Sequence, residues 1–111
     1  MNTPDFTHIC KKYTVFCKEL PKSIINSADV KRLITASGSV GANYIEANEP
    51  LSKKDFVMRV KISWKEAMEY TYWLKLISET DQFTSKNDAG LLINEATESL
   101  KILSSIIEKC K

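Results

Sequence analysis

Glycine and proline are scarce in this chain, with three of each among 111 residues. So few turn-formers exclude a many-turned all-β fold and favour long helices joined by few connections. Histidine is almost absent. The single one, His8, lies far in sequence from every acidic pair, whereas a di-iron carboxylate bundle needs Glu-x-x-His motifs facing its core. Glu46 and Glu49, Glu66 and Glu69, and Glu95 and Glu98 are each three apart, and none has a histidine partner. Solvated faces or salt bridges explain these pairs, so no metal and no other cofactor is expected. Cysteine is odd in number: Cys10, Cys17 and Cys110, with no C-x-x-C. That argues against a disulfide framework and for small core residues in a reducing compartment. A Cys–His nucleophile would need an exposed, electropositive cysteine, yet Cys10 and Cys17 follow an apolar stripe. Ser39 and Ser63 have no base beside them in sequence. No catalytic constellation emerges, and a non-enzymatic protein is expected. Long apolar runs are missing as well: none approaches the ~20 residues that span a bilayer. The N-terminus is polar and carries Pro4 and Asp5, unlike a signal peptide. The expected location is the cytoplasm, away from membranes. A dominant charge sign is also lacking. The formal net charge is +2, which neither demands nor excludes a nucleic-acid partner. The length sets one domain, residues 1–111, with a modest core.

What is present is helical periodicity, four times over. Phe6, Ile9, Cys10, Tyr13, Phe16, Cys17 and Leu20 recur at spacings of three and four and make one buried face. This first helix is expected to start near Thr3, with Pro4 and Asp5 in its first turn, and to end at Pro21. Asn26, Ser27 and Asp29 supply start signals for the second, whose stripe is Val30, Leu33, Ile34, Ser37, Gly41, Tyr44, Ile45 and Asn48. After a break at Asn48-Glu49-Pro50-Leu51, Ser52 and Asp55 form a capping-box signature. The third helix then runs to about Ser78. Phe56, Val60, Ser63, Ala67, Thr71 and Leu74 form its main stripe, widened by Val57, Trp64, Met68 and Ile77. Tyr70, Tyr72, Trp73 and Leu76 add more. Coverage this wide exceeds one bundle face and suggests a subunit interface. The fourth helix begins near Asp88, after a polar connection around Phe83. Its stripe is Ala89, Leu92, Ile93, Ala96, Leu100, Leu103, Ile107 and Cys110. The fold class is therefore all-α, a four-helix bundle.

Two local features stand out. Gly38 and Gly41 sit inside the second helix, each at a cost of ~1 kcal/mol relative to Ala. The short break makes the second and third helices an antiparallel hairpin. Equal rise per residue sets Ser37 near Ser63, and Trp64 is expected to fill a notch at Gly38 and Gly41. A ligand against bare backbone is the alternative use of those glycines. The second feature is charge. Lys53, Lys54, Arg59, Lys61 and Lys65 crowd the first half of the third helix, where Asp55 is the one acid. Lys54, Lys61 and Lys65 share a face. Such a stripe can contact phosphates, with salt-dependent affinity, or can be an ordinary solvated face.

The central stretch also resembles a known family. Ser39-Val40-Gly41-Ala42-Asn43, Glu46-Ala47, Ser52-Lys53-Lys54-Asp55-Phe56, Ile62-Ser63-Trp64-Lys65-Glu66-Ala67 and Tyr72-Trp73-Leu74 are similar, in order and spacing, to the 23S rRNA-intervening-sequence proteins. The resemblance implies an antiparallel up-down-up-down bundle, a ring-like homopentamer and a link to nucleic acid. The accessory protein of diversity-generating retroelements is similar. It is a pentamer that binds nucleic acid and a reverse transcriptase. Two positions depart from the pattern: Thr35 and Ile45 stand where an Arg is common. If those cations meet phosphate in relatives, this chain binds it less well. The motif also suggests a structural job for Asn43 and Glu46, with Arg59 in reach of Glu46 and a polar cluster tying two helices together.

Three functional readings follow. The first is an oligomeric, non-enzymatic protein binding RNA or DNA through Lys53, Lys54, Arg59, Lys61 and Lys65. The second is a protein-interaction scaffold that docks a partner through apolar surface. The third is an enzyme with an unrecognised site. Gly38, Ser39, Gly41, Asn43, Glu46, Ser63, Trp64 and Glu66 are read as structural motif residues.

Overall fold

A computed structural model of the chain describes residues 6–18, 24–48, 52–80 and 86–110. Four helices account for nearly all of them, with no strand among the described residues: α1 (Phe6–Lys18), α2 (Ile24–Ala47), α3 (Lys53–Thr80) and α4 (Lys86–Lys109). The expected turn residues Thr3, Pro4, Asp5, Pro21, Glu49, Pro50 and Phe83, and Leu20 of the first stripe, fall outside the described residues.

Each helix is fixed by its apolar face. The buried core is Phe6, Tyr13, Phe16 and Cys17 from α1 and Leu33, Ala36, Val40 and Ala47 from α2. Val60, Ala67, Tyr70, Leu74 and Ile77 come from α3, and Ala89, Leu92, Ala96 and Leu103 from α4. Each large aliphatic side chain so buried contributes roughly 1.5–3 kcal/mol. At the start of α3 the Ser52 Oγ accepts a hydrogen bond from the Asp55 N–H at 3.0 Å, the N-cap expected from the sequence. α2 begins at Ile24, earlier than expected, so Asn26, Ser27 and Asp29 lie within the helix instead of capping it. Apolar pattern outweighs the local preference of those polar residues for a cap.

Cross-helix contacts set the directions. Val40 on α2 meets Ser63 on α3, and Asn43 meets Arg59, so these two helices run antiparallel. Phe6 sits against Gly41 and Tyr44, while Cys10 meets Ser37, which makes α1 antiparallel to α2. Lys12 against Glu95 and Tyr13 against Leu92 set α4 antiparallel to α1, and hence to α3. α1 closes the bundle on α4, where the Tyr13 hydroxyl donates to the Leu92 carbonyl at 3.2 Å.

The α2–α3 seam differs in detail from expectation. Ser63 Oγ donates to the Val40 carbonyl at 3.0 Å, whereas Ser37 turns to α1, with its Oγ 3.5 Å from the Cys10 Sγ. Small buried residues, Ala36 on α2 and Ser63 and Ala67 on α3, leave room for the two helices to come close. The glycines do not form a notch for Trp64. Nothing lies within 4 Å of a Cβ built on Gly38, and a Cβ on Gly41 would meet Phe6 of α1 at 3.5 Å. The reason is helical phase: at 100° per residue, Gly38 turns to solvent and Gly41 to α1. Trp64 is half-buried against the common core.

Candidate nucleic-acid interface

The five cations marked in the sequence divide into two groups. Lys53, Lys54, Lys61 and Lys65 lie together on the outer face of α3, around a shallow apolar strip made by Val57, Met58 and Ile62. All four lysines are exposed, and none makes an ion pair among the described residues. The face continues up the helix. Met58, Met68 and Tyr72 are exposed and recur at the spacing of one helical face. Cations therefore alternate with apolar and aromatic side chains along the first two-thirds of α3. Met68 and Tyr72, part of the apolar surplus that suggested a subunit interface, belong to this outer surface. Ile45 and Asn48 of α2, placed in a core stripe by their spacing, are exposed too. They close the α2 stripe, where period alone cannot tell a buried position from a fraying one.

Arg59 belongs elsewhere. Its side chain turns across the α2–α3 hairpin. Its guanidinium pairs with Glu46 at 3.2 Å, donates to the Asn43 side-chain Oδ1 at 3.3 Å and lies 3.9 Å from Asp55. Asn43 in turn donates to the Ser39 carbonyl at 2.9 Å. The planar five-donor fork of Arg suits such multiple contacts. Three motif residues, Ser39, Asn43 and Glu46, thus form one polar strap with Arg59, and Asp55, read from the sequence as a cap residue, completes it.

Glu66 occupies a third position. With Glu69 it faces Ser39, Thr35 and Arg32 across a shallow groove between α3 and α2. Burial raises the Glu66 pKa, and neighbouring Glu69 adds to the rise while Lys65 opposes it. Above this groove the Arg32 guanidinium stands 4.8 Å from the centre of the Trp73 ring, a cation–π contact that the sequence pattern did not reveal. Trp73 also packs edge-on against Tyr72, with ring centres 5.0 Å apart. Among the described residues no group of three or more His, Cys, Asp or Glu is placed to hold a metal. No helix among the described residues is long and apolar enough to cross a membrane.

A buried aromatic pair supports the far side of α3. Tyr13 and Tyr70 pack with ring centres 5.0 Å apart. Burial drives both hydroxyl pKa values up, and the nearby Glu95 carboxylate adds to the rise. The Tyr70 hydroxyl has no well-formed partner among the described residues, although Tyr13 and Ser99 lie close enough to influence it. Cys17, buried in the common core, has its thiol pushed up to about 11 by burial, the behaviour of an inert structural cysteine.

No curated protein matches the chain. A solved structure does: a protein of unknown function from the S23 ribosomal protein family of Bacteroides thetaiotaomicron. It is 30% identical, with a TM-score of 0.75, and the match covers 92% of this chain and 90% of that one. The family model for the 23S rRNA-intervening sequence protein matches residues 6–105. The motifs quoted from the sequence all fall within that range, and with this coverage the chain belongs to the 23S rRNA-intervening sequence protein family.

Proposed function

We propose that this protein is a non-enzymatic, self-associating helical bundle that binds RNA or DNA along the outer face of α3. The observation that carries the proposal is the strip of exposed lysines, Lys53, Lys54, Lys61 and Lys65, set around Val57, Met58 and Ile62. Exposed lysines without a carboxylate partner among the described residues are available to neutralise phosphates and release counterions. The exposed Met and Tyr side chains between them offer surface on which unstacked bases can rest. The family's name, and the S23 ribosomal protein family of the structural relative, fit a setting rich in RNA. The resemblance noted in the sequence implies a closed ring of five copies, and such a ring would repeat the lysine strip on every subunit. Three free cysteines suit the reducing cytoplasm.

Binding of a labelled RNA across a salt series tests the proposal. Affinity should fall linearly on logarithmic axes as salt rises; affinity independent of salt would overturn it. A second reading rests on the apolar floor of the same strip, which suits a protein ligand. Under that reading a protein partner is retained from nuclease-treated lysate and RNA has no effect.

A further inference from the structure

The far side of the molecule carries a groove of about 970 Å³ between α1 and α4. Its floor is apolar, built from Ile9, Phe16, Leu92 and Ile102. Val15 and Leu91 stand on its two edges and are 56% and 59% exposed. The rims differ in charge. α1 supplies His8, Lys11 and Lys12, and has no carboxylate anywhere from Phe6 to Lys18. α4 supplies Asp88, Glu95 and Glu98. One edge of an apolar surface is therefore basic and the other acidic.

We infer that a second copy of the chain covers this groove, with the basic α1 of one copy lying along the acidic α4 of the next. The inference rests on the self-association proposed above and names its face. Within one chain α1 and α4 are antiparallel neighbours, with Lys12 Nζ 2.6 Å from Glu95 Oε1 and Tyr13 bonded to Leu92. Rotation about an axis parallel to the helices preserves every helix direction. It sets α1 of one copy against α4 of another in the same antiparallel sense and at the same level. Val15 then meets Leu91 of the second copy, and Lys11 meets Glu98. An axis across the helices would instead lay α1 on α1, with lysine against lysine, which like-charge repulsion disfavours. In a closed ring the α1 edge of each copy meets the α4 edge of the next. Charge complementarity thus selects both the occupant and its orientation. The contact lies on α1 and α4, so it leaves the lysine strip of α3 open.

Sedimentation velocity over a concentration series on the full chain tests this. Lys11→Glu and Glu98→Lys each place like charges across the contact. Both sites are exposed, and the intrachain Glu98–Lys101 pair at 3.4 Å is a surface pair of little weight, so the fold is retained. Each single variant should weaken association about ten-fold or more. The double variant Lys11→Glu/Glu98→Lys, with the charges exchanged, should return to within about three-fold of the native chain. Leu91→Glu, which plants a charge in the apolar contact, should abolish it. Single variants that associate like the native chain would overturn this interface while leaving self-association standing. A double variant no better than the singles would overturn it too. A native chain monomeric at every concentration would overturn both.

Discussion

At the scale of single residues, the two glycines of α2 give the sharpest expectations. Gly38 faces open space and Gly41 offers ordinary van der Waals distance to Phe6. Neither has a positive φ, so an added methyl meets no backbone strain. Gly38→Ala should stabilise the protein by about 0.8–1 kcal/mol, the helix-propensity difference, seen as a rise of roughly 3–7 °C in thermal midpoint for a chain of this size. Gly41→Ala should be neutral to stabilising, whereas Gly41→Leu should destabilise by displacing Phe6. Tyr13 and Tyr70 give a pH expectation. Their folded-state pKa values lie above the unfolded value of about 10. The folded state therefore keeps protons that the unfolded chain releases. Stability is intact below pH 10 and falls above it, by roughly 1.4 kcal/mol per pH unit for each group. In a titration followed by ultraviolet absorbance, these two phenols should ionise only as the protein unfolds. Ionisation of all four tyrosines without loss of structure would contradict this. Buried identities such as Tyr13, Leu33 and Leu74 were legible in the sequence because period alone places them. The neighbours of Gly38 and Gly41 were not, because helical phase, and not the presence of glycine, decides which helix a position faces.

At the scale of helices and their junctions, the Arg59 strap holds α2 to α3 where the hairpin turns. Its contacts to Glu46, Asn43 and Asp55 are part-exposed, so the stabilisation is modest. Arg59→Ala should cost about 1 kcal/mol in chemical denaturation. Arg59→Lys should recover less than half, since a point charge cannot bridge three oxygens as the fork does. Neither change should alter RNA affinity of the folded protein by more than about two-fold, because the side chain faces α2 and not the lysine strip. The number, order and approximate ends of the helices were readable from apolar spacing, and the cap at Ser52 from its motif. The reach of Arg59 to Glu46 was readable from antiparallel register. The start of α2 was not, because Asn26, Ser27 and Asp29 imitate a cap inside a helix whose apolar face continues past them. Asp55 was read as a cap partner alone, since sequence spacing shows the neighbour on its own helix and not the one across the hairpin.

At the scale of the whole molecule, the bundle presents two unlike faces: the lysine-rich strip of α3 and the bipolar apolar groove of α1 and α4. The sequence announced the first, because five cations cluster within thirteen residues. It did not announce the second: Val15 and Leu91 stand outside the apolar stripes of their helices. Their common groove depends on how α1 seats against α4, which no local pattern encodes. Under the two proposals above, one face joins copies of the chain and the other meets phosphate. The most direct test is the salt dependence of RNA affinity for the native chain beside Lys54→Gln/Lys61→Gln/Lys65→Gln. If the α3 strip meets phosphate, the triple variant should bind more weakly at low salt. Its slope of log affinity against log salt should shrink by about 0.7 per lost contact on single strands, or about two in all, with the fold and the assembly unchanged. A triple variant with the native slope and native affinity would contradict the proposed interface.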